Sequence, residues 1–79
     1  MNTNKQDWDD LSARRIASNI ATANARKKWQ TAININTFGK SGDEIIALNV
    51  ERILAKAEYQ RCHSEALALA DEAKAAYFR

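Results

Sequence analysis

Proline is absent from this 79-residue sequence, which also holds only two glycines, one cysteine and one histidine. With so few turn-formers, a turn-rich all-β fold is disfavoured. A lone cysteine, Cys62, cannot close an internal disulfide. One histidine, His63, beside one cysteine argues against a zinc site of four protein ligands. Because the two are adjacent, on a helix they sit about 100° apart, so they do not form a nucleophile–base pair. No glycine-rich phosphate loop or paired metal-ligand motif is present either. No cofactor is therefore expected, and an enzyme is disfavoured. No apolar run approaches the roughly 20 residues of a membrane span, and the polar N-terminus does not read as a secretory signal. A single free thiol without a signal fits a reducing, cytoplasmic setting.

A chain of this length buries only about 60% of its unfolded surface. With disulfide and metal set aside, oligomerisation or docking on a larger partner is the remaining brace. What the sequence has in quantity is alanine, at 15 residues. Alanine is the strongest helix former, so the fold class expected is all-α: one domain, a hairpin of two long antiparallel helices.

Residues 1–6 read as a frayed polar terminus. Asp7 reads as an N-cap, with Asp9 and Asp10 where the helix dipole is positive. The first helix should run over residues 8–33. In it Ala13, Ile16, Ile20 and Ala23 recur at spacings of three and four and share one face, which ends near Lys27. Residues 34–42 read as a connection in which Asn34, Asn36 and Gly39 suit helix ends and turns. Ile35 and Phe38 would either plug the end of the core or stand out as partner anchors. Ser41-Gly42-Asp43-Glu44 is a capping box: the Ser41 hydroxyl can accept from the Glu44 amide, and the Glu44 carboxylate from the Ser41 amide. It opens a second helix over residues 43–78.

That helix would span about 54 Å against about 39 Å for the first. Either it overhangs and pairs with another chain, or it breaks at Arg61-Cys62-His63-Ser64 and a third helix begins. The absence of glycine and proline there favours continuity. The second helix carries two apolar rows. Ile46, Val50, Ile53 and Ala57 form one. Leu48, Ala55, Tyr59, Cys62, Ala66, Leu69, Ala73 and Ala76 form another, close to the coiled-coil heptad. In one reading the first row closes the hairpin, and Tyr59, Cys62, Ala66, Leu69, Ala73 and Ala76 make a homodimer seam. In the other, all of them form one wide face against the first helix. Cys62 reads as an inert buried thiol. Glu58, Glu65 and Glu72, at a spacing of seven, read as a charged stripe beside a seam.

The net charge of +2 hides an asymmetry. Residues 1–40 carry seven bases and three acids, giving +4, and residues 41–79 carry five bases and seven acids, giving −2. Between residues 11 and 42 there are six bases and no acid. On a helical wheel Arg14, Arg15, Arg26 and Lys28 lie opposite the Ile16/Ile20 stripe, with Ser18, Thr22 and Trp29 among them. Such a face is either merely solvated or turned towards an anion: a nucleic acid, a nucleotide or an acidic protein surface. Arginine and tryptophan are frequent interface anchors. A helix-turn-helix is not supported, since the connection and helices are too long. Nor is an aromatic sheet for single strands present. Non-specific phosphate contact stays open.

These features together lead to an expectation of a non-enzymatic binding protein. It would cover a site on a larger protein or protein–nucleic acid complex with an acidic surface, away from membranes and as a homodimer. Size and missing chemistry suit an inhibitor of a host defence complex encoded by a phage or mobile element. A nucleic-acid or nucleotide binder using Arg14, Arg15, Arg26 and Lys28 is the alternative, and a purely structural helical oligomer the third.

Overall fold

The structure is a computed structural model that describes residues 5–77. It is all-α, with two helices: α1 (Lys5–Ile33) and α2 (Gly42–Tyr77). They lie antiparallel in a rod of 62 × 14 × 13 Å. α2 is continuous through residues 61–64, so Ser64 caps no third helix. α1 begins before Asp7, which therefore sits in the first turn and not at the N-cap; a carboxylate there still meets the positive end of the dipole.

The helices meet along a seam of small side chains. In α1, Leu11, Ala25 and Ala32 are buried, with half-buried Ser18, Thr22 and Trp29 between them. α2 contributes buried Leu48, Ala55, Cys62, Leu69 and Ala73. Leu11–Ser18–Ala25–Ala32 and Leu48–Ala55–Cys62–Leu69 each step by seven residues, the period of a two-stranded coiled coil. Leu11, Leu69 and Ala73 form a cluster flanked by Trp8 and Ala76 at the open end of the hairpin. Two hydroxyls at the seam and beside it bond within their own helix: Thr22 Oγ1 donates to Ser18 O at 2.8 Å and Thr31 Oγ1 to Lys27 O at 2.9 Å.

The row Tyr59, Cys62, Ala66, Leu69, Ala73 and Ala76 does not face a second copy; its members are buried or half-buried against α1. Conversely, the rows expected to close the hairpin point outward: Ile16 is 60% and Ile53 67% exposed, with Ile20, Ile46 and Val50 likewise in solvent. The reason is topological. Arg14 meets Glu72 and Lys28 meets Glu58, so residue pairs numbering about 86 in sum lie level. At that register the Ile16/Ile20 row stands beside residues 66–70, roughly 25 Å from the Ile46/Val50/Ile53 row. The two aliphatic rows occupy the first halves of antiparallel helices and cannot meet within one chain. The alanine-rich rows run the full length of both helices and can.

The length mismatch is resolved at the connection. Arg52 donates from Nε to Ala32 O (2.9 Å) and from Nη2 to Ile35 O (3.1 Å) and Ile33 O (3.5 Å). α1 thus ends level with Arg52, and the first turns of α2 run beside residues 34–41. Within that segment the Asn36 side chain accepts from the Phe38 amide at 2.9 Å, and Gly39 takes φ +80°, where a side chain would be strained. Phe38 is 93% exposed, so it does not plug the core. Half of the capping box is present: the Glu44 amide donates to Ser41 Oγ at 3.2 Å. The Glu44 carboxylate lies 4.0 Å from Lys40 Nζ, and among the described residues no bond returns from it to the Ser41 amide.

Candidate binding surface

The seam divides the rod into two broad sides of different electrostatic character. On one side ion pairs run between and along the helices. Arg14 lies 3.4 Å from Glu72 and Lys28 3.7 Å from Glu58 across the seam, while Arg14–Asp10 (3.9 Å) and Arg61–Glu65 (3.5 Å) pair within one helix. The Glu58/Glu65/Glu72 stripe therefore flanks the seam as e/g residues do in a coiled coil. These pairs are half-exposed, so each contributes little stability, about 0.2–1 kcal/mol. Their consequence is neutralisation.

The other side is not neutralised. Arg15 and Arg26 project there from α1, and neither makes an ion pair among the described residues. Arg15 shares a groove of about 290 Å³ with Trp8, Ala70, Lys74 and Tyr77. Arg26 shares one of about 420 Å³ with Tyr59, His63, Ala66, Leu67 and Ala70. Ala70 lines both, so the grooves adjoin. Lys56, seven residues before His63, falls on the same row. Arg15, Arg26, Lys56 and Lys74 thus form a cationic side with no paired acid among the described residues. Its floor is apolar, built from Ala23, Ala66, Leu67 and Ala70.

An aromatic ladder borders the second groove. The Trp29 and Tyr59 rings stack at 5.6 Å between centroids and 20° between planes; Tyr59 and His63 stack at 5.8 Å and 23°. The first contact crosses the seam and fixes the two helices against each other at that level. Cys62 is a free, buried thiol, with Arg61 Nη2 3.6 Å from its sulfur.

The seven residues picked from the sequence as one binding face are therefore split. Arg15 and Arg26 are together on the unpaired side. Arg14 and Lys28 face the glutamates of α2. Ser18, Thr22 and Trp29 lie at the seam, where the Thr22 hydroxyl is already engaged. Lys56, Lys74 and the Leu67 floor were missed, because a wheel drawn for α1 alone does not show what α2 places beside it. No helix among the described residues is long and apolar enough to cross a membrane. No family model matches the chain, and neither a curated protein nor a solved structure matches it.

Proposed function

We propose that this chain is a non-enzymatic binding protein that seats the unpaired cationic side of its hairpin on the acidic surface of a larger macromolecular partner. The partition of charge carries this reading. Five acids (Asp10, Glu44, Glu58, Glu65 and Glu72) are drawn into ion pairs, whereas Arg15, Arg26, Lys56 and Lys74 are left without one among the described residues. A one-signed field of this kind steers a partner of opposite charge. The apolar groove floor favours a protein partner over nucleic acid, whose interfaces are more polar and dominated by phosphate contacts. Covering a site in this way is how a stoichiometric inhibitor or adaptor works. An inhibitor of a host defence complex, carried by a phage or mobile element, is the specific form that small size and missing catalytic groups suit. The acting unit is a pair of hairpins.

Affinity capture with the wild type and with Arg15→Glu/Arg26→Glu, each with and without nuclease, tests the reading. A partner retained after nuclease and lost on charge reversal supports it. A partner that disappears with nuclease assigns the surface to nucleic acid instead. Capture unchanged by charge reversal would leave the cationic side idle and the reading wrong.

A further inference from the structure

We infer that two copies of this chain associate through the outer face of α1, antiparallel, about a two-fold axis level with Ser18. The row concerned is Asp9, Ala13, Ile16, Ile20, Ala23 and Lys27, at spacings of four, three, four, three and four. It lies opposite the seam and all six residues are exposed; Ile20, at its centre, is 57% exposed. That spacing is the coiled-coil repeat, so α1 carries one seam for α2 and a second with no occupant in the chain.

The occupant is identified by self-complementarity. Any heptad row is geometrically symmetric about its midpoint; this one is also chemically symmetric. Turning a second copy antiparallel about residue 18 sets Ile16 against Ile20, Ala13 against Ala23 and Asp9 against Lys27. Large meets large, small meets small, and acid meets base, twice over by the two-fold. Neither Asp9 nor Lys27 has an ion-pair partner among the described residues, and residues 16–25 hold no charge that could oppose the approach. The outer row of α2 lacks this match, since the same operation puts Ile46 against Ala57.

The chain exposes 6204 Å², more than the about 4,800 Å² expected of a compact monomer of its mass, because a rod of 62 × 14 × 13 Å leaves the outer faces of both helices uncovered. Pairing through α1 leaves the outer face of α2 and the connection free.

Sedimentation of the full chain from low to high micromolar concentration tests this with four variants. The wild type should be a dimer. Ile20→Asp, which sets two carboxylates at the centre, should be a monomer with undiminished helical circular dichroism. Asp9→Lys and Lys27→Asp should each weaken the dimer roughly tenfold, because each creates two like-charge pairs in place of two attractive ones. An equimolar mixture of the two should restore wild-type affinity, since the antiparallel heterodimer regains both opposite-charge pairs. That restoration reads the interface even if Ile20→Asp fails to fold. A wild type that is monomeric at high micromolar concentration, a mixture no tighter than its components, or dissociation by Ile53→Asp but not by Ile20→Asp overturns the inference.

Discussion

Arg52→Met tests how the hairpin closes. Arg52 is the half-buried residue that reaches from α2 to the end of α1, with its Nε 2.9 Å from Ala32 O, and to the connection, with Nη2 3.1 Å from Ile35 O. The Ala32 carbonyl, in the last turn, has no partner inside α1, as at every helix C-terminus. The short bond to Ala32 O is partly shielded and contributes about 1 kcal/mol. The exposed bond to Ile35 O and the cation at the negative end of the α1 dipole contribute about 1 kcal/mol more. The contact to Ile33 O, at 3.5 Å, is too long to add much. Methionine keeps the aliphatic stem and removes the fork, so the expected loss is about 2 kcal/mol. For a domain of this size that lowers the thermal midpoint by about 10 °C, read by circular dichroism at one fixed protomer concentration. Lys56→Met is the control: it removes the same charge one turn further on, where no carbonyl is bonded, and should shift the midpoint by little. Arg52→Lys should recover the dipole part only. If Arg52→Met melts within a degree or two of wild type, or Lys56→Met falls as far, the cap does not close the hairpin.

Three further substitutions test the fold. Ala55 is 3% exposed at the seam, so Ala55→Leu should force the helices apart and lose about 1–3 kcal/mol in denaturant melts; a neutral result would mean that the helices are not closely packed there. Ser41→Ala removes the oxygen that accepts from the Glu44 amide and should lose about 1 kcal/mol, visible as a lower urea midpoint with an unchanged slope. Phe38→Ser should leave stability within about 0.5 kcal/mol, because the ring stands in solvent; a larger loss would show that it packs on something in solution.

Helix content, the connection and the start of α2 were legible because each rests on local chemistry. Alanine abundance, missing proline, paired asparagines and the Ser41 cap all act within a few residues of themselves. The phase of each helix was not legible in the same way. Both helices carry two rows at spacings of three and four, and hydrophobicity alone selects the isoleucine-rich ones. The alanine-rich rows win because they run the whole length of the antiparallel pair, whereas the aliphatic rows fall at opposite ends. That is a property of register, which no single-helix wheel contains.

Register was nevertheless written in the charges. Arg14 and Lys28 are fourteen residues apart, and so are Glu58 and Glu72. Two bases and two acids at equal separation, on helices of opposite direction, can pair simultaneously only when Arg14 meets Glu72 and Lys28 meets Glu58, as they do at 3.4 and 3.7 Å. That register sets Arg15 level with residue 71, within a turn of Lys74, and Arg26 level with residue 60, between His63 and Lys56; Lys74 shares the Arg15 groove. The acid-free stretch of residues 11–42 pointed to unpaired positive charge in α1 but could not divide it. The glutamates of α2 make the division, taking Arg14 and Lys28 and leaving Arg15 and Arg26 without an ion pair among the described residues.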